Sequence, residues 1–189
     1  MSSPARRRAT VQDLLDVPDH LVAELVDGEV VASPRPAFRH SRAASIIGVS
    51  LGGPYDLGKG GPGGWWILDE PELHLGPDVL VPDLAGWRRE KMPVFPDVAY
   101  SEVSPDWVCE ILSPATAGLD RVRKLPIYAR AAVRHVWLVD PGLRILEVLR
   151  LEGSSWVLVA AHDHDAVVRA EPFAEIELAL AALWIANPT

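Results

Sequence analysis

The sequence lacks the features that mark several protein classes. It holds one cysteine, Cys109, so no internal disulfide can form, and the thiol is compatible with a reducing cytoplasm. No apolar run approaches the roughly 20 residues that a membrane-spanning helix needs. The opening stretch, MSSPARRRAT, has basic residues but no apolar core behind them. It reads as a mobile tail over residues 1–9 and not as a secretory signal. Cations are the minority: 18 Lys and Arg face 26 Asp and Glu, a net charge of −8. That balance counts against a protein that coats nucleic acid through a general basic field. It leaves room for an enzyme that touches phosphates with a few cations and a metal, and solubility alone also accounts for it. No internal repeat is visible.

What is present fits one globular domain, expected over residues 10–189, with 49% apolar and 23% charged residues. Thr10 and Asp13 predict a capped first helix near 10–16. AELVDGEVVAS alternates on both sides of Asp27-Gly28, a hairpin pattern. HSRAASIIGVSL, residues 40–51, has the spacing of an amphipathic helix that Gly52-Gly53-Pro54 should end. Strands are expected near GWWIL, PELHL and DVLVPDLAGW, then an irregular proline-marked excursion over 90–105. WVCEIL is the next strand, followed by a helix ending near Arg130 and the strand RHVWLVD. RILEVLRL and SSWVLVAAH predict a hairpin around Glu152-Gly153. IELALAALW reads as a strand running into a short helix, or as either alone. Strands and helices so mixed predict an α/β domain with a mixed β-sheet and flanking helices.

Within these elements some charges are out of place. Glu110 interrupts the apolar strand WVCEIL, where an unpaired carboxylate costs several kcal/mol or takes up a proton. Alternation puts Cys109 and Glu110 on opposite faces. Asp83 sits in another apolar run directly after Pro82, where a turn at a strand end is the plain explanation. Asp120, Lys124 and Tyr128 recur every four residues and line one helical face. A surface ion pair between the first two, worth about 0.3–0.5 kcal/mol, would explain that spacing without any function. Pro126 predicts that this helix starts late or kinks, leaving Lys124 near its first turns. Glu24 on the first hairpin and His40 at a helix start are candidates for the same cleft. Two carboxylates on adjacent strands can hold a hard cation such as Mg²⁺ or Mn²⁺, which relieves the buried charge. A nearby lysine can orient water or offset charge on a phosphate.

The segments AELVDGEV, FRHS, VPDLAGW, WVCEILSPAT, RKLPIYARA and VRHVWLVDP, in this order and spacing, resemble the Uma-two family of putative restriction endonucleases. This is a branch of the PD-(D/E)xK nuclease superfamily, and the resemblance covers about residues 13–160. It implies a restriction-endonuclease-like core and metal-dependent phosphodiester hydrolysis of nucleic acid, DNA above all. It assigns Asp83 and Glu110 as metal ligands, with the Ile111 carbonyl as a third contact. The expected E-x-K triplet is here Glu110-Ile111-Leu112, so the lysine falls to Lys124 on the following helix, to position the attacking water. Glu24 would support the metal and His40 would contact the scissile phosphate. Arg39, Arg42, Arg121 and Arg123 are candidates for a positive rim. A homodimer is a natural arrangement for cutting both strands of a duplex. Two other readings stay open: a catalytically inactive interaction module that keeps the nuclease fold, and a hydrolase of another phosphate ester.

Three signals carry less. GPYDLGKG nearly spells a phosphate loop, but Gly60 stands where Ser or Thr is required, so a lid or connection is expected there. His162-Asp163-His164-Asp165 falls in an expected exposed loop, where solvated side chains outnumber metal sites. Of the tryptophans, Trp137 and Trp156 are expected in the core, while one of Trp65 and Trp66 can face outward.

Overall fold

The computed structural model describes residues 7–185. Residues 1–6 of the expected tail lie outside that span, but residues 7–9 are held in place. The Arg7 guanidinium reaches Asp13 at 2.5 Å, and the Ala9 N–H donates to the Gly28 carbonyl at 2.8 Å. Helix α1 is a single turn, Val11–Leu14. Its start is the expected one, with Asp13 accepting the Thr10 N–H at 2.6 Å.

Strands β1 (Leu21–Val26) and β2 (Glu29–Pro34) form the expected antiparallel hairpin. Asp27 and Gly28 both take positive φ, 51° and 80°. That geometry matches the twist of the strands and favours glycine at the second position. Helix α2 runs Phe38–Leu51, two residues earlier than its periodicity implied. Gly52-Gly53-Pro54 ends the α-helical bonding but does not release the chain. The path widens into a π turn, Gly52–Asp56, in which the Leu57 N–H reaches back to the Gly52 carbonyl at 2.9 Å. This turn seats Tyr55 in the core, so only the part after it remains a connecting loop.

Strands β3 (Trp65–Asp69) and β4 (Glu72–Leu75) lie where expected. The run DVLVPDLAGW does not: it forms two strands, β5 (Asp78–Leu80) and β6 (Leu84–Arg88), in different sheets. Pro82 has no N–H to give a ladder, so pairing stops there and the chain crosses between sheets. Asp83 stands at that crossing. The excursion over 90–105 is irregular apart from the short β7 (Tyr100–Ser101). Then come β8 (Trp107–Ile111), α3 (Ala117–Leu119), a π turn over Asp120–Lys124 and α4 (Leu125–Arg130). The helical path therefore begins well before Lys124, and the accommodation to Pro126 is a π turn just ahead of it, not a late start. β9 (His135–Asp140), β10 (Ile145–Glu152) and β11 (Ser155–Asp163) follow. The last elements are β12 (Val167–Val168) and β13 (Leu178–Ala179), with a 3₁₀ turn over Leu180–Leu183. The strand-into-short-helix alternative describes that end.

The architecture is mixed α/β, with the longer strands divided between two sheets. One has the order β2-β1-β5-β4-β7 and the other β11-β10-β9-β8-β6-β3. In the six-stranded sheet β8 and β9 are parallel while the remaining pairs are antiparallel. Joining parallel neighbours requires a crossover, which α3 and α4 supply. One face of this sheet packs on α2 and the C-terminal segment through Ile47, Leu51, Trp107, Trp137 and Phe173. The other packs on α4 and the five-stranded sheet through Val26, Leu80, Val108, Ile127 and Tyr128. No helix among the described residues is long and apolar enough to cross a membrane.

Candidate functional site

The site is built on β8, whose alternation divides its side chains between the two faces. Trp107, Cys109 and Ile111 join the α2 side, and Val108 joins the α4 side. Glu110 shares the Val108 face and is 3% exposed. The antiparallel register places Leu84 of β6 opposite Cys109. Asp83, one residue earlier, therefore arrives beside Glu110, and its Oδ2 accepts the Ile111 N–H at 2.6 Å. The crossing at Pro82 that breaks the long strand is thus what presents Asp83 at the β8 edge.

From the other side the π turn and α4 bring Lys124 and Tyr128 down onto Glu110. The Tyr128 hydroxyl donates to Glu110 Oε1 at 2.5 Å. Lys124 Nζ lies 2.9 Å from Glu24 Oε1, 3.3 Å from Asp120 Oδ1 and 3.4 Å from Glu110 Oε1. Glu24 Oε1 also accepts the Val81 N–H at 2.8 Å, which ties the first hairpin to the same cluster. Asp120 and Lys124 do form an ion pair, but they are 3% and 4% exposed, so the surface-pair explanation of their spacing does not hold.

Three buried carboxylates around one ammonium leave the cluster with excess negative charge. Burial raises the Glu110 carboxyl well above the usual carboxylate range; Lys124 opposes this, while Asp120, Asp83 and Glu24 add to it. Asp120 is raised by burial in the same way, against Lys124. For Lys124, burial disfavours the charge, yet Glu110, Glu24 and Asp120 outweigh it and hold the ammonium firmly protonated. The Tyr128 hydroxyl is driven up by burial and by Glu110, so it remains a donor.

A cavity of about 370 Å³ opens above this floor, and Glu24, His40, Asp83, Glu110, Ile111 and Lys124 all border it. His40 Nε2 stands 3.2 Å from Asp83 Oδ1. Burial opposes its protonation, but the hydrogen bond and charge of Asp83 prevail and raise its pKa. The second nitrogen, Nδ1, meets no partner among the described residues. The expected catalytic and metal-binding residues, Glu24, His40, Asp83, Glu110, Ile111 and Lys124, therefore all reach one cavity.

The donor set suits a hard dication. Asp83 and Glu110 offer oxygen, and an excess of buried negative charge is what such an ion would relieve. Among the described residues no three of His, Cys, Asp and Glu converge as a ready metal cage. A cation here would be held by two carboxylates and main-chain oxygen at Ile111, in the manner of Mg²⁺, which keeps part of its water. His164 and Asp163 stand in solvent, and Asp165 pairs with Arg144.

Sequence reasoning missed three residues of the cavity. Asp120 was visible in the four-residue spacing, but its burial was not. Glu70 borders the cavity from the turn after β3, where φ is +45°, and no sequence pattern marks it. Arg35 borders the mouth, flanked by prolines. The expected rim is placed differently. Arg121 pairs with Glu147, Arg123 is held by the Val26 carbonyl at 2.6 Å and Glu29 at 3.1 Å, and Arg39 and Arg42 lie exposed on α2. Trp65 faces the core, while Trp66 is half-buried beneath the Arg89 guanidinium, 3.8 Å from its ring centroid.

The family model Uma2, described as "Putative restriction endonuclease", matches residues 11–182. A solved structure from Anabaena variabilis ATCC 29413, described as a putative nuclease belonging to DUF820, superposes with a TM-score of 0.68. It is 22% identical, and the match covers 92% of this chain and 96% of that one, a likeness of fold. No curated protein matches.

Proposed function

The chain belongs to the Uma2 family, described as "Putative restriction endonuclease", and on that premise we propose that it is a metal-dependent nuclease hydrolysing phosphodiester bonds, with DNA as substrate. The observation that carries this reading is the meeting of Asp83 and Glu110 at adjacent ladder positions beneath one cavity, with the Lys124 ammonium 3.4 Å from Glu110. Mg²⁺ or Mn²⁺ held by Asp83, Glu110 and the Ile111 carbonyl would supply positive charge against the phosphate. Lys124 positions the attacking water, and Glu24 fixes Lys124 and supports the metal side of the cluster. Tyr128 holds the Glu110 carboxylate in one orientation. His40, whose protonation Asp83 favours against burial, faces the scissile phosphate. A homodimer would let two such sites act on opposite strands.

The test is cleavage of single- and double-stranded substrates with Mg²⁺ or Mn²⁺ beside an Asp83→Ala control. The expected loss is about 10²–10³-fold or more, the scale of removing one transition-state stabilising group. Equal cutting by the variant would overturn the assignment. The reading of an inactive interaction module draws on the −8 charge and on Leu112 in place of the E-x-K lysine. Calorimetry separates the two, because a module without a metal site shows no Mg²⁺ or Mn²⁺ heat that depends on Glu110.

A further inference from the structure

One lip of the cavity is the segment between β2 and α2, Pro34-Arg35-Pro36-Ala37, each residue of which borders the opening. Phe38 follows directly as the first residue of α2 and is 90% exposed, the barest large apolar side chain among the described residues. Scattered surface valines and leucines need no explanation. A phenylalanine this bare, one residue from the cavity edge, is a different case, because its ring stacks on no other ring among the described residues. Pro36 locks its own φ and restricts Arg35 before it, so the lip that carries the ring is stiff.

Arg35 adds the second half. Arg121 and Arg123 are committed to carboxylates, whereas no described residue pairs with the Arg35 guanidinium. Below it the cavity presents Glu24, Glu70, Asp83, Glu110 and Asp120 against Lys124. The metal and Lys124 answer the scissile phosphate at that floor, and the lip cation is placed to hold a second phosphate of the same strand. A guanidinium suits that role through its planar, forked donors.

We propose that this lip is a strand clamp, in which Arg35 pairs with a backbone phosphate and Phe38 stacks on the adjoining base. The inference rests on the nuclease reading and narrows its substrate class to nucleic acid with an unpaired base beside the cut. In a duplex both faces of each base are covered by neighbours, and a side chain can stack only on one left open.

Fluorescence anisotropy with labelled oligonucleotides, in chelator and in Mg²⁺ at low temperature, tests this directly. Phe38→Ala should weaken binding to a single strand by roughly 5- to 150-fold, the range for one lost stacking contact. Phe38→Trp should restore it. On an oligonucleotide with an abasic position at the clamp, parent and Phe38→Ala should bind alike. Arg35→Ala should weaken every strand and lower the salt slope by about 0.7, the share of one phosphate contact. Because Phe38 is exposed, an unchanged melting temperature checks that the variant is folded. The clamp is overturned if Phe38→Ala binds a single strand as the parent does, or if it loses as much on duplex and abasic strands as on the intact single strand. A parent that binds and cuts while Phe38→Ala is unaffected sinks this inference alone. A parent that binds no strand in either buffer removes the nucleic-acid reading of the site with it.

Discussion

The two faces of β8 are built from opposite chemistry, apolar rings on one side and buried charge on the other. On one, Trp107, Cys109 and Ile111 enter a dry core in which Phe173 is ringed by aromatic side chains. Its centroid lies 4.6 Å from Tyr55, 4.8 Å from Trp65, 5.0 Å from Trp107 and 5.7 Å from Trp137. On the other, Glu110 meets Lys124, Tyr128 and the carboxylates of Glu24 and Asp120. The first face gains stability from burial and ring packing. The second holds charge out of water with more anions than cations, an arrangement that stability alone does not favour. A single strand thus carries the scaffold on one side and, on the proposed reading, the chemistry on the other.

That contrast can be broken most forcefully at its two centres. Phe173→Ala should cost about 3–5 kcal/mol in denaturant unfolding, the range for emptying a packed aromatic position. Lys124→Met should cost a similar amount near pH 8, about 3–5 kcal/mol, because buried carboxylates lose their cation. The two should part on acidification. Glu110 and Asp120 have folded pKa values raised above their ordinary ones. Their protonated forms are thus favoured in the fold, and the stability this confers is complete below the ordinary pKa and lost as pH rises through the folded one. The Lys124→Met penalty should therefore shrink toward pH 5, whereas the Phe173→Ala penalty should not. A Lys124→Met cost that ignores pH would mean that the carboxylates are not what the lysine answers.

A smaller effect has the opposite sign. Glu110→Gln removes one of three like charges, leaves Lys124 two partners and keeps an oxygen for Tyr128. It should stabilise the metal-free protein by about 1–2 kcal/mol at pH 7 while removing metal-dependent heat and cleavage. Destabilisation in thermal unfolding would show the cluster to be a net support of the fold. The smallest effect lies on β9, next to β8, where His135 is opposite Trp107. His135 is held below its ordinary pKa by burial, with Glu171 opposing. Its contribution is present above pH 6.5 and is lost as pH falls through the lower folded value. His135→Gln should flatten the stability profile there and leave it unchanged at pH 8; an unaltered acid slope would locate that dependence in another group.

Much of the site was legible because it breaks local rules. Glu110 stands out in an apolar strand, and Asp83 stands out after a proline in an apolar run. The spacing of Asp120, Lys124 and Tyr128 was equally plain, but whether that face met water or Glu110 was not. Helical spacing says which residues share a side and nothing about what covers it. The one long strand predicted through Pro82 failed for a related reason. Its apolar run continues on both sides, and only the presence of two sheets to join makes the proline a crossing point. A positive rim was expected from Arg39, Arg42, Arg121 and Arg123. In the fold Arg121 and Arg123 found carboxylates first, and Arg35 came to the mouth from a distant loop.

By itself the sequence determined the hairpin at Asp27-Gly28, the alternation of β8, the mixed α/β class and the standing of Glu110 and Asp83 as charges within apolar runs. These follow from local geometry, period and the chemistry of single residues. Tertiary structure alone decided that Glu24, Asp83, Glu110, Asp120 and Lys124 share one buried volume, and that Arg35 and Phe38 stand at its lip. Burial and charge balance depend on which distant segments pack together, and a pattern read along one chain contains no such distance.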